Sequence, residues 1–298
     1  MMNATLSQND SIDIRDFSDV SETGLLMLYA RAMESRSDKP ILPDANAERI
    51  VDAIDAQIAG AKDPFLSMLY NKEVDKRLVV HAALRAQKYD QYARAFLADN
   101  PGSAVANLGC GMDTRFQRID DGEVIFYDLD LPDVIGFKRQ FLQESERYRL
   151  IAASVFETGW MEQVAARAQS RVLFLAEGLF TYLDPDRVKA LVLELQHRFP
   201  GSELVCEVTN QAWIRGIRGK LAARKMQREL KIGEDAPYQF GLETAEEMET
   251  WNAGIEFLER WSYFDTNHPK LGWMRVLRYI ELFRGVQYTV RYRLNPAL

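Results

Sequence analysis

The stretch from Val105 to Leu131, VANLGCGMDTRFQRIDDGEVIFYDLDL, constrains the fold more than any other part of the chain. An apolar run, a Gly-x-Gly turn, a short helical segment and a second apolar run ending in acid follow one another, the order of a nucleotide-type βαβ opening. Gly109 and Gly111 remove side chains where a strand turns sharply into a helix, so backbone N–H groups can lie against a ligand. Cys110, between them, belongs to the same ligand-binding turn, and its thiol is read as packing. Asp128 and Asp130 follow 19 and 21 residues after Gly109, where the end of the next strand offers a carboxylate to ribose hydroxyls. Asp130 is the first choice and Asp128 the fallback.

The turn departs from a dinucleotide fingerprint in two ways. Thr114 stands where the third glycine would allow close packing under a pyrophosphate. Asp113 sits where the helix begins, and an acid there opposes a bound phosphate while suiting a cationic ligand. The ligand that fits is adenosine without phosphate, carrying positive charge: S-adenosylmethionine. An NAD-dependent oxidoreductase is disfavoured on the same grounds.

A length of 298 residues allows one large or two small domains, and 47% hydrophobic with 27% charged residues is ordinary for a globule with a sizeable core. A net charge of -7 argues against a broad nucleic-acid or anionic-membrane surface. The absence of an 18-residue apolar run or a signal-peptide core at residues 1–16 predicts a cytoplasmic protein without a membrane span. Two cysteines cannot build a disulfide framework, and neither has a partner at metal-ligand spacing, so no metal site is expected.

Helical spacing begins near Ser21. A second helix is predicted from Asp44, which can cap it, with Ala47, Ile50, Val51, Ile54 and Ile58 on one stripe. A third, broken or bent, fills roughly 71–97. These helices form an N-terminal cap, residues 1–100, integrated with a catalytic domain, 101–298, and covering the carboxyl edge of its sheet. Further along, 135–146 reads as a helix, 148–153 as a strand and 171–176 as an apolar strand ended by Glu177. Asp184 caps a helix that starts at Pro185. The basic run Trp213 to Arg228 is a candidate lid within an insertion at about 211–245. Thr244-Ala-Glu-Glu247 fits a capping box for a helix to Asn252, and the alternation from Val286 to Leu294 is a strand. The architecture is a Rossmann-like α/β fold with a seven-stranded, mostly parallel sheet, its last strand antiparallel.

Asn107-Leu-Gly-Cys-Gly-Met-Asp-Thr-Arg115 followed by Phe126-Tyr-Asp-Leu-Asp-Leu-Pro132 resembles the leucine carboxyl methyltransferase superfamily, whose bacterial branch includes polyketide carboxyl O-methyltransferases of the tetracenomycin type. The resemblance extends to Tyr29–Arg36, to Leu175–Leu183 and to Tyr292–Leu294. It implies that Arg85 clamps the methionyl carboxylate of the cofactor, that Arg31 matches a second basic residue, and that Glu177 holds the α-amino group. It also implies that Ser154 and Val155 lie where adenine is held. There the chain departs from the eukaryotic protein-methylating enzymes, which carry Asp-Leu, and this argues against a protein C-terminus as substrate.

Methyl transfer from a sulfonium is an in-line displacement that needs little beyond positioning. A carboxylate acceptor is ionised at neutral pH, whereas a phenol with a pKa of about 10 profits from a general base. The chain has only three histidines, none placed by a motif beside the methyl group, and no base is assigned. The expectation is a small-molecule O-methyltransferase with an acidic acceptor, esterifying a carboxylate. A hydroxyl acceptor and a non-catalytic S-adenosylmethionine-binding protein are the alternatives.

Overall fold

The computed structural model describes residues 19–168, 170–214 and 238–297. Four helices open the chain: α1 (Asp19–Ser35), α2 (Ala45–Ile58), α3 (Pro64–Tyr70) and α4 (Lys76–Asp99). The carboxylate of Asp44 accepts the Ala47 N–H at 3.0 Å and caps α2, whose buried stripe is Ala47, Ile50, Val51, Ile54 and Ile58. The third predicted helix, 71–97, is the uninterrupted α4 rather than a broken one. The short α3 before it was not predicted: Asp63 caps it, Pro64 starts it, and the chain leaves it through Lys72, which adopts a left-handed φ of 59°.

The alternating part follows: β1 (Ala104–Leu108), α5 (Arg115–Ile119), β2 (Ile125–Asp130), α6 (Pro132–Lys138), β3 (Tyr148–Ala152), α7 (Gly159–Ala165), β4 (Val172–Ala176), α8 (Pro185–Arg198) and β5 (Ser202–Asn210). After β6 (Gly241–Leu242) come β7 (Ile255–Trp261) and β8 (Gln287–Leu294). The strand order is β3-β2-β1-β4-β5-β8-β7, with β6 pairing β5 off this path. Strands β1 to β5 run parallel, and β8 is antiparallel to both β5 and β7. The sheet thus has eight strands rather than seven, the extra one being the two-residue β6.

Both faces of the sheet are covered. Val105, Leu173, Leu175 and Val205 point into one core with α1, α2 and α4, while Ala104, Ala106, Leu108 and Phe174 point into a second with α7 and α8. This is why the central strands read as unbroken apolar runs. Strand β8, between β5 and β7, alternates instead, burying Tyr288, Val290, Tyr292 and Leu294 while Arg291 and Arg293 reach Glu203.

Two predicted helices differ. The segment predicted as helix over 135–146 forms α6 only as far as Lys138; the chain then turns through Phe141 and Leu142 N–H bonds to the Lys138 carbonyl, and the Glu144 carboxylate takes the Leu150 N–H at the entry to β3. Thr244 to Glu247 forms no reciprocal capping box. Glu247 bonds the Glu243 N–H instead, and only a 3-10 turn, Glu247–Thr250, follows. The insertion predicted as a lid lies largely, at 215–237, outside the described residues. Among the described residues no helix is long and apolar enough to cross a membrane.

Candidate functional site

The turns that leave β1, β2, β3 and β4 at the carboxyl edge meet α1 and α4 around one cavity of about 320 Å³. Arg31, Arg85, Gly109, Cys110, Gly111, Asp130, Ser154, Val155 and Glu177 all line it. Asp128 does not. Its carboxylate faces the interior, held by Tyr148 Oη at 2.6 Å, Asn107 Nδ2 at 2.9 Å and Lys138 Nζ at 2.8 Å.

The glycine turn works by absence of side chains. Gly109 and Gly111 have φ of +62° and +48°, a region that L side chains adopt at a cost. A Cβ on Gly109 would stand 2.6 Å from Leu179 Cδ1, and one on Gly111 3.5 Å from Gly24 Cα. The turn can therefore lie close to α1 on one side and to the segment after β4 on the other. Gly111 N–H donates to Asp130 Oδ2 at 2.7 Å and Leu131 N–H to Asp130 Oδ1 at 2.8 Å, which fixes the carboxylate at the rim. Burial raises the Asp130 pKa, and these two N–H bonds oppose the rise. Each oxygen keeps acceptor capacity for a ligand hydroxyl.

Deeper in, four arginines and five acidic side chains form one connected cluster. Arg85 Nε bonds Glu177 Oε1 at 2.9 Å and its Nη1 bonds Glu207 Oε2 at 2.7 Å. Arg115 bonds Asp90 at 2.8 Å, Glu177 Oε2 at 2.6 Å and Asp113. Arg118 bonds Asp90, Asp113 and Asp44, and Arg31 pairs with Asp44 at 3.5 Å while donating to Met112 O at 2.8 Å. Each buried ion would be costly alone, by several kcal/mol on the order of magnitude known for such groups, so mutual pairing is what makes the cluster tolerable. Burial by itself would raise the Asp113 and Glu177 carboxyls, but the arginines outweigh it and hold both below the ordinary carboxylate value. Arg115 and Arg118 act on Asp113, and Arg85 and Arg115 on Glu177. Asp113 also lines the cavity, and its charge is shared with Arg115 and Arg118 rather than standing alone. The preference for positive charge belongs to the whole cluster, where five acidic side chains face four arginines.

His81 lies one helical turn before Arg85, with its ring 4.3 Å from that of Tyr263. Burial, and then the neighbouring Arg85, push its pKa down to about 3. It stays neutral at physiological pH and is too weak a base to deprotonate a hydroxyl.

A sequence profile described as leucine carboxyl methyltransferase matches residues 24–196. That span is more than half of the chain and contains every residue named above as lining the cavity. The chain belongs to the leucine carboxyl methyltransferase family. It is 31% identical over 249 residues to the tetracenomycin polyketide synthesis O-methyltransferase TcmP of Streptomyces glaucescens, a match covering 83% of this chain and 84% of that protein. It is 32% identical over 194 residues to the S-adenosyl-L-methionine-dependent methyltransferase dpfgK of Gibberella zeae, covering 63% and 64%. The fold is shared with a DUF574-family protein from Streptomyces avermitilis, with a TM-score of 0.52 at 16% identity over 82% of this chain and 96% of that one. The protein is a methyltransferase whose cofactor is S-adenosyl-L-methionine.

The residues present fit that cofactor. The side-chain-free turn leaves room for it, Asp130 offers acceptors at the end of β2, and the buried cluster presents both arginine and carboxylate for a zwitterionic amino-acid end. Several participants in this methyltransferase's site were not singled out from its sequence. Arg115 stood inside the glycine motif without a role of its own, and Asp90 lay in a helix read only for Arg85. Glu207 did carry a signal: it is a lone acid in the apolar run Leu-Val-Cys-Glu-Val of β5, where a charge is retained only if it is paired.

Proposed function

We propose that this methyltransferase is a small-molecule O-methyltransferase that converts a carboxylate of its acceptor into a methyl ester. In this reading Asp130 accepts from the cofactor's ribose hydroxyls, Ser154 and Val155 border its adenine, Arg85 and Arg31 take its carboxylate, and Glu177 takes its α-amino group. When bound, S-adenosylmethionine supplies a methyl group on a sulfonium whose departure leaves a neutral thioether. The chain's own residues hold the reactants in line and exclude water, which suffices for an acceptor that arrives as an anion.

The observation that carries the choice of acceptor is the commitment of the cavity's acids. Asp113 is bound by Arg115 and Arg118, Glu177 by Arg85 and Arg115, and Asp130 by two backbone N–H groups. No histidine is among the described residues of the lining. A carboxylate needs none of them as a base, whereas a phenol would. TcmP, an O-methyltransferase by name, supports transfer to oxygen. The helices of the first hundred residues belong to the catalytic unit in this reading, since Thr23, Gly24, Met27, Arg31 and Arg85 contribute to the same cavity. The basic run Trp213 to Arg228 would draw an acidic acceptor toward the site.

Initial-rate profiles over pH 6 to 9, taken across a panel of aromatic and aliphatic acids and phenols, test this reading. A carboxylate acceptor gives a kcat/KM that is flat over that range, because the nucleophile is ionised throughout. Turnover confined to phenols, with a rate that climbs with pH, would replace the proposal with hydroxyl methylation.

A further inference from the structure

We infer that Arg115 is a positioning residue for the amino-acid end of the cofactor: it holds one oxygen of Glu177 in place and thereby keeps Arg85 from closing on both. The inference rests on the reading that Glu177 takes the cofactor's α-amino group.

Arg115 is 1% exposed and is not part of the cavity wall. Its guanidinium nonetheless joins three elements, reaching Asp90 on α4, Asp113 in the glycine turn and Glu177 after β4. Glu177 is held from two sides, with Oε1 on Arg85 Nε at 2.9 Å and Oε2 on Arg115 Nη2 at 2.6 Å. This division fixes the carboxylate plane and leaves each oxygen a lone pair for an ammonium donor. If the Arg115 bond were absent, Glu177 would be free to turn both oxygens onto the Arg85 fork, the geometry that arginine and carboxylate prefer. That rotation would carry the acid away from the ammonium and would draw Arg85 from its bond with Glu207.

A purely structural role does not account for this placement. Arg118 already ties α5 to α4 through Asp90, at 2.7 and 3.0 Å, and to the cap through Asp44 at 2.7 Å. What Arg115 adds is the link to Glu177. The ring of Tyr89 lies beneath the guanidinium, 5.5 Å from its carbon, and supports it from the side without a carboxylate. A lysine at this position is a point charge and cannot reach three acids in three directions.

Isothermal titration of the full chain with two ligands tests the assignment. S-adenosylhomocysteine carries the amino-acid end, and 5′-methylthioadenosine lacks it while keeping adenosine and the sulfur. Arg115→Lys is expected to weaken S-adenosylhomocysteine by about tenfold or more, the range for one charge-assisted hydrogen bond, and to leave 5′-methylthioadenosine nearly unchanged. Glu177→Gln should show the same split, and the double variant should bind no worse than Glu177→Gln alone. Asp90→Asn loosens Arg115 from its far side and should move the same ratio in the same direction; it decides the matter if Arg115→Lys does not fold.

An equal loss for both ligands in Arg115→Lys, or no loss for either, overturns the positioning role while leaving Glu177 in place. No split in Glu177→Gln would instead remove the reading of Glu177 on which the inference stands.

Discussion

Asp128 and Lys138 form an ion pair at 2.8 Å with side chains 2% and 0% exposed, two residues before Asp130, which lines the cavity. The two aspartates differ by two positions in one strand, so their side chains share a face of β2. They nevertheless meet different surroundings. Asp130 is at the end of the strand, beside the glycine turn, while Asp128 is inside it, between Asn107 of β1 and Tyr148 of β3.

Their variants should separate binding from stability. Asp130→Ala is expected to cost about 1.5 to 3 kcal/mol of cofactor affinity, the range for hydrogen bonds to a charged group, with little change in unfolding. Asp128→Ala leaves the Lys138 ammonium buried without its partner and should destabilise the fold by about 3 to 5 kcal/mol. Titration with S-adenosylhomocysteine and urea unfolding read the two effects. The reverse pattern would exchange their roles.

Much of this was legible in the sequence because it is periodic or local. The α2 stripe, the Asp44 and Asp184 caps and the βαβ opening are set by neighbours a few residues away, and they appear in the structure where spacing puts them. The choice between Asp128 and Asp130 was not legible, since it turns on Lys138 and Tyr148 arriving from two other elements. The same holds for Arg115. Its partners Asp90 and Glu177 stand 25 and 62 residues away, and only the parallel crossover brings them together. The shortened α6 and the 3-10 turn at Glu247 were not legible either, since helical spacing does not encode the side-chain bonds that Glu144 and Glu247 make to the Leu150 and Glu243 N–H groups beside them.

Gly109→Ala is expected to lower stability by about 1 to 3 kcal/mol and to weaken cofactor binding, because a methyl group must be held at positive φ and must displace Leu179. Leu179→Ala in the same chain opens that space. The double variant should therefore recover part of the binding loss while keeping the backbone penalty, and a coupling of zero in the double-mutant cycle would argue that Leu179 does not feel the added methyl.

Acid should destabilise the protein before its carboxylates titrate. His81 is neutral in the folded protein down to about pH 3, whereas in the unfolded chain it takes up a proton near 6.5. The unfolded state binds more protons between these values, so the contribution of His81 is fully present above pH 6.5 and is lost as pH falls below it. The slope is at most about 1.4 kcal/mol per pH unit. His81→Gln should flatten the dependence of the urea midpoint between about pH 6.5 and 5, where ordinary carboxylates stay ionised. An unchanged slope would mean that His81 accepts its proton in the folded state.

Arg85 and Glu207 should couple in stability but not in binding. Arg85→Met removes the cation that faces Glu207 and Glu177, and the loss of one partner of a buried pair costs about 3 to 5 kcal/mol. It should also raise the dissociation constant for S-adenosylhomocysteine, whose carboxylate then lacks its fork. In the native protein burial raises the Glu207 pKa, Arg85 opposes that rise, and Glu177 adds to it. Without Arg85 the rise loses its main opposition and keeps only the weaker Gly178 N–H bond against it, so the folded variant holds a proton that the unfolded chain releases at lower pH. The variant should consequently be penalised least in mild acid and most above neutrality, the opposite sign to the His81 effect. Adding Glu207→Gln replaces that carboxyl with a neutral amide, so the double variant should regain stability at pH 8 while its affinity for the cofactor product stays low. Recovery of both together would show that Arg85 serves the fold alone and that another cation holds the cofactor's carboxylate, with Arg31 the next candidate on the cavity wall.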